Sequence, residues 1–228
     1  MDGMSMSGGW TMSMMWMRMP GHSWTGTAAS FLVMWSAMMA AMMLPSLAPA
    51  LLRHRSALRH AGSARVHRRV AVVGVGYLSV WAALGLIVFS IGAMLTSIAM
   101  RQPVLALLEP VAGGGVVLAA GLLQHSAWKS RRLAVCRETP SPSHPVRADL
   151  RSTWRHGVCL GLHCTASCAP LTAVLLVLGM MDLRVMAAIT AAITLERLAP
   201  SDVRVVRAIG DGVIVTGLIL MARAAGLG

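Results

Sequence analysis

Six apolar stretches, each close to the length that crosses a bilayer, dominate this chain of 228 residues. They lie at about 28–52, 70–96, 103–124, 156–179, 181–199 and 203–223. A hydrocarbon core of roughly 30 Å takes about 20 residues of α-helix to cross, and the backbone inside it must satisfy its hydrogen bonds internally. The sequence therefore predicts an all-α fold, a polytopic bundle of about six transmembrane helices.

The last two stretches carry polar residues that leave their positions open. The fifth begins with Asp182 and Arg184 and ends with Glu196 and Arg197, so a full crossing and a partly interfacial position both fit it. The sixth is interrupted by Gly-Asp-Gly at 210–212. For Glu196 we expect an ion pair with Arg197 or with a loop arginine, because charges in membrane helices are costly unless they are paired.

The basic residues predict how the chain is oriented. Only 12% of the residues are charged, against about 25% in a soluble domain, and the formal net charge is +12. The positive charges gather in two connecting segments, Arg53–Arg69 and Lys129–Arg155. The positive-inside rule places both segments in the cytoplasm and the N-terminus outside. This distribution indicates the lipid bilayer as the surroundings and argues against nucleic acid as a partner.

Residues 1–27 form a methionine-rich extracytoplasmic tail that precedes a transmembrane helical domain at 28–228. Eight of the 19 methionines fall within the first 19 residues, interleaved with tryptophans. Thioethers need no deprotonation, so they can bind a soft cation in an oxidising compartment. The alternative is an interfacial segment whose tryptophans lie among lipid headgroups.

The first apolar stretch carries a methionine stripe at helical spacing. On a 3.6-residue period, successive turns place these side chains on neighbouring faces. Methionine also packs irregular apolar interfaces, so a packing role stays open. Pro45 removes one backbone hydrogen bond within this stretch and predicts a local break. The candidate metal ligands here are Met38, Met39, Met42 and Met43.

The fourth apolar stretch carries three thiols and an imidazole within ten residues. The pairs Cys159 and His163, and Cys164 and Cys168, are each four residues apart, so the members of each pair stack on one helical face. All four are candidate metal ligands, although a buried cysteine is often a small apolar residue. A redox pair of Cys164 and Cys168 is disfavoured, because this spacing on one helix is poor disulfide geometry.

The two motifs point to one site. The first stretch runs inward and the fourth runs outward, and both carry their sulfur ligands near the middle of the span. Thioether, thiolate and imidazole ligands select soft cations, of which Cu(I) is the expected one, whereas Mg²⁺ and Ca²⁺ prefer oxygen. We therefore expect the two helices to meet and to bind copper inside the bilayer.

The chain resembles a bacterial family of unknown function whose members are described as predicted metal-binding integral membrane proteins. The resemblance covers most of the chain after residue 30 and is most specific in its Met-Met-x-x-Met-Met-Leu-Pro block. The family usually has a second loop cysteine where this chain has Arg132, and a Cys-Cys pair where it has Ser167-Cys168. The matching segments are Trp35 to Pro49, Ala120 to Gln124 with Lys129 and Cys136-Arg137, and Arg155 to Pro200, which includes Glu196-Arg197.

The resemblance implies a multi-pass protein of the bacterial inner membrane that handles a metal. Together with the soft ligands, it predicts a protein that binds Cu(I) for uptake, transfer or delivery to a partner membrane protein or metalloenzyme. There is no Gly-rich phosphate loop of the Walker type, and no enzymatic activity is expected. The alternative is a structural subunit of a larger membrane complex that binds no metal.

Overall fold

Helices account for almost all of the residues that the structure, a computed structural model, describes. These residues are 4–5, 11–12, 23–60, 65–101, 103–131, 150–198 and 203–226. The helices are α1 (Trp24–His60), α2 (Val66–Arg101), α3 (Pro103–Gln124), the short α4 (127–131), α5 (Leu150–Leu178), α6 (Leu183–Leu198) and α7 (Val203–Ala224). The all-α expectation is confirmed for this part of the chain.

Within the methionine-rich tail, the structure describes residues 4–5, 11–12 and 23–27, and the last of these ranges contains the start of α1. Two-residue strands, β1 (Met4–Ser5) and β2 (Thr11–Met12), pair antiparallel and place Met4 opposite Met12. Residues 1–3, 6–10 and 13–22 lie outside the described part. Metal capture by the tail therefore stays a prediction.

Four of the helices, rather than six, are long and apolar enough to cross a bilayer. The candidate spans among the described residues are Trp24–Pro45, Val66–Arg101, Leu150–Leu178 and Arg204–Ala224. The expectation of six spans is corrected here. Helix α6 has 16 residues, which at about 1.5 Å per residue reach only about 24 Å, and α3 contributes a shorter apolar segment, Pro110–Gln124. The fold is that of a multi-pass membrane protein.

Glycines set the distance between α2 and α5. A Cβ atom on Gly76 would lie 2.6 Å from the carbonyl oxygen of Trp154, and one on Gly161 would lie 2.9 Å from Cγ2 of Val80. A Cβ atom on Gly157 would overlap the carbonyl oxygen of Val73. Small residues four apart allow this kind of close helix packing in membranes, and the result is that α2 lies directly against the cysteine-bearing part of α5.

Tryptophan side chains join α1 to α2. The ring of Trp35 is fully buried, and its Nε1–H donates to the carbonyl oxygen of Trp81 at 2.9 Å. Gly85 leaves room for that ring, because a Cβ atom there would overlap Trp35 Cδ1. Helix α1 continues past Pro45, so the expected break does not occur, and α5 likewise continues past Pro170. The methionine stripe of α1 consequently faces inward from a continuous helix.

Candidate metal centre

The two sulfur-bearing helices meet inside the bundle. The Cys164 thiol of α5 lies 4.0 Å from Sδ of Met43 on α1. Met43 and Cys164 are each 1% exposed and Cys168 is 2% exposed. The two thiols, one helical turn apart, also contact each other. Met43, Cys164 and Cys168 are called the sulfur cluster below. Within it, the contact between Met43 and Cys164 joins α1 to α5.

Helix α2 adds a hydroxyl group to the sulfur cluster. The Tyr77 side chain is buried, and its hydroxyl oxygen lies 2.9 Å from Sγ of Cys164. The position of this ring depends on the glycine contacts, because Tyr77 follows Val73 by one turn of α2. A phenol can donate a hydrogen bond to sulfur whether the thiol is free or metal-bound, so Tyr77 orients the Cys164 side chain.

A buried ion pair lies on the other side of α5. Lys129 Nζ is 2.8 Å from Oε2 of Glu196, and both side chains are 1% exposed. Gln124 Nε2 donates to the second oxygen of Glu196 at 2.7 Å, and Lys129 Nζ also donates to the Ser167 carbonyl at 2.5 Å. The pair therefore ties α4 and α6 to the segment of α5 that holds the thiols.

A second cation contacts the sulfur cluster itself. Arg197 Nη2 of α6 lies 3.8 Å from Sγ of Cys168 and 3.5 Å from Oγ of Ser167. Ser167 Oγ in turn donates to the Cys164 carbonyl at 2.9 Å. A guanidinium group at this distance stabilises negative charge on sulfur, and a thiol that binds a metal does so as the thiolate.

The remaining candidate ligands lie at different levels of burial. Met39 and Met42 are buried on α1, and Met38 is half-buried against the same core. Cys159 is exposed and His163 is half-buried, and helical geometry turns both to other faces of α5 than the one that presents Cys164. The structure thus brings Cys164 and Cys168 together with the methionine stripe, but not Cys159 or His163.

The donor set of the sulfur cluster is soft. In the described part of the chain, no three His, Cys, Asp or Glu residues group as metal ligands. A site of two thiols and a thioether suits Cu(I) better than the harder divalent ions. With bonds of about 2.3 Å, the thiolate length in zinc sites, sulfurs 4.0 Å apart would subtend about 120° at one ion. That angle is compatible with trigonal coordination.

Sequence reasoning missed most of the polar residues around the sulfur cluster. Lys129 was assigned to a cytoplasmic loop but is buried, and it forms an ion pair with Glu196. The expectation that Glu196 is in an ion pair is confirmed, and Lys129 is its partner among the described residues. The only available signal was that Gln124, Lys129 and Glu196-Arg197 all fall in the segments that carry the family resemblance.

Comparison with known proteins agrees with this chemistry. No curated protein and no solved structure matches the chain significantly. The family of copper chaperones called PpoB2 matches residues 32–220, which include all three residues of the sulfur cluster. Copper binding and delivery, predicted above from the soft ligands, are confirmed at the level of the family. The chain belongs to the PpoB2 copper chaperone family.

Proposed function

We propose that this protein binds one Cu(I) ion as cargo in the sulfur cluster of Met43, Cys164 and Cys168, and delivers it to a partner protein. The observation that carries the proposal is the 4.0 Å contact between the Met43 thioether and the Cys164 thiol. This contact joins the methionine motif of α1 to the cysteine motif of α5, so that the two motifs can act as one set of metal ligands. The family match supports copper as the cargo, and the contact supports this location for the binding site.

A mixed thiolate and thioether set suits a protein that must release its metal. Two thiolates provide charge and affinity, whereas a neutral thioether adds a soft ligand without adding charge. Met39 and Met42 are buried on the same helix within one turn of Met43, so further thioethers lie along α1. This arrangement suits reversible binding and transfer of the ion better than permanent binding in a closed site.

The surroundings proposed for the cargo are those of a bacterial inner membrane. We place the N-terminus outside and the basic segment Arg53–Arg69, which follows α1, in the cytoplasm. Helix α1 would then enter from the outer side with its methionines ahead of the thiols of α5. The methionine-rich tail is the proposed capture segment on the outer side, and the recipient is a membrane protein or metalloenzyme.

The decisive measurement is Cu(I) binding by protein purified in mild detergent under reducing conditions. Competition with a Cu(I)-specific chelator gives stoichiometry and affinity. Even changes outside the coordination sphere cost roughly 10–100-fold in metal affinity, so Cys164→Ser and Cys168→Ser should each lose more than about 100-fold. Met43→Leu should lose less than either, because the thioether is the weaker ligand.

Matched controls separate ligand loss from general damage. Cys159→Ser removes an exposed thiol from the same helix, and Met94→Leu changes an exposed methionine of α2. Both variants should bind copper as the unmodified chain does. Stoichiometric binding in the Cys164→Ser/Cys168→Ser double variant, or an equal loss in Cys159→Ser, would contradict this location of the site.

A further inference from the structure

A guanidinium group is an unexpected neighbour for a cation-binding site. Arg197 lies on α6 with Nη2 3.8 Å from Sγ of Cys168. The other described charges near the cluster belong to Lys129 and Glu196, which are 2.8 Å apart and largely cancel each other at longer range. A positive charge next to a site for positive ions lowers the affinity of the site for them. We therefore ask whether this charge affects some ions more than others.

We propose that Arg197 makes the sulfur cluster select monovalent over divalent soft cations. The inference rests on the proposed copper site and adds a specificity-determining residue to it. The guanidinium repels every bound cation, but it repels a divalent ion twice as strongly as a monovalent one at the same position. Discrimination by charge is needed here because ligand softness alone does not separate Cu(I) from soft divalent ions.

The charge balance of the loaded site agrees with this role. Two thiolates and one monovalent ion together carry one negative charge, which attracts the guanidinium of Arg197, whereas two thiolates and a divalent ion carry no net charge and do not attract it. Uncompensated charge is costly inside a membrane. The direction of the effect does not depend on other groups around Arg197, since removing one positive charge always relieves a divalent ion more than a monovalent one.

Ag(I) and Cd(II) are the appropriate probes, because both are soft closed-shell ions with the same number of electrons and differ in charge. The measured quantity is the ratio of Cd(II) to Ag(I) affinity. Arg197→Gln should raise this ratio by about 100-fold, the value expected for a unit charge at roughly 6 Å with an effective dielectric constant near 20. Arg197→Lys, which keeps the charge, should restore a ratio near that of the unmodified protein.

A matched control removes the same charge elsewhere on the same helix. Arg184 is exposed at the start of α6, 13 residues before Arg197 and therefore about 20 Å away, so Arg184→Gln should leave the ratio unchanged. Structural damage in Arg197→Gln would lower both affinities together. Removal of the charge should instead raise both affinities, that of Cd(II) more than that of Ag(I), and a rise in affinity cannot come from damage of that kind.

A second variant keeps the proposal testable if Arg197→Gln does not fold. Glu196→Gln makes the surroundings one charge more positive, so the ratio should move in the opposite direction and fall. An unchanged ratio in the folded Arg197 or Glu196 variants overturns the charge-selection proposal while leaving the copper site intact. Failure of the unmodified protein to bind Ag(I) and Cu(I) would instead overturn the proposed function.

Discussion

The close packing of α2 on α5 predicts that Gly157→Ala will damage both stability and the metal centre. Gly157 and Gly161 lie four residues apart on the face of α5 that receives α2. The Cβ atom that alanine adds at position 157 would overlap the carbonyl oxygen of Val73. That oxygen belongs to the helix backbone, so it cannot turn aside as a side chain would.

The size of the effect follows from that overlap. Ordinary contacts of a Cβ atom begin near 3.4 Å, so α2 must move by about 1 Å, an overpacking strain that costs about 1–3 kcal/mol. The displacement should reach the hydrogen bond between Tyr77 and Cys164, now 2.9 Å long, because Tyr77 is one turn from Val73. We expect the thiol to lose its partner and become more accessible.

Unfolding in detergent and maleimide labelling measure the two effects separately. Labelling in a Cys136→Ser/Cys159→Ser background reports only Cys164 and Cys168, which are buried. Gly74→Ala is the matched control, since nothing lies within 4 Å of a Cβ atom there; alanine should leave stability unchanged or raise it by up to about 1 kcal/mol. If Gly157→Ala has the same stability as Gly74→Ala and its thiols react with maleimide at the same rate, the close approach of these helices is refuted.

Two further changes test the groups around the sulfur cluster. Tyr77→Phe keeps the ring and removes the hydroxyl that contacts Cys164, so Cu(I) affinity measured by chelator competition should fall roughly tenfold; an unchanged affinity would show that the contact does not orient the thiol. Lys129→Met leaves Glu196 buried without its cation and should destabilise the protein by about 3–5 kcal/mol. Lys129→Met/Glu196→Gln should recover most of that loss in thermal unfolding, and a single variant as stable as the unmodified protein would contradict a buried pair.

Local patterns in the sequence were sufficient to predict the helical fold and to place Cys164, Cys168 and part of the methionine stripe inside the bundle. Four-residue spacing puts Cys164 and Cys168 on one face, and the same periodicity turns Met39 and Met43 toward the core of the bundle. These features depend only on residues within a turn or two of each other. They could be predicted because helical geometry is the same in any tertiary context.

The number of spans was harder to predict because apolar content does not define where a helix begins or ends. Helix α5 stops at Leu178 before Gly179, which has a φ of 112°. Asp182 Oδ1 then accepts from the backbone N–H of Arg184 at 2.8 Å and caps the start of α6. These polar signals shorten α6 below the thickness of the bilayer, although its composition remains that of a membrane helix.

The charged part of the site could not be derived from local patterns. Lys129 begins a segment rich in basic residues, as a cytoplasmic loop would be. Counting basic residues cannot distinguish a solvated lysine from a buried one. Its partner, Glu196, is far away in sequence, and the two meet only because α4 and α6 pack on the same part of α5. Pairs of this kind depend on tertiary packing that a single sequence does not display.

Neither half of the sulfur cluster forms a soft three-ligand site without the other. Helix α5 presents two thiols from consecutive turns, which the contacts of Ser167 with Lys129 and Arg197 hold in place from one side. The third sulfur, Met43, comes from α1, and α1 is fixed by the Trp35 contact with α2. In the proposed site, copper affinity therefore depends on helix packing: any change that separates α1 from α5 would remove the thioether while leaving the thiols intact. A chaperone built in this way can weaken its hold on the ion through a small movement of helices, without breaking a thiolate bond first.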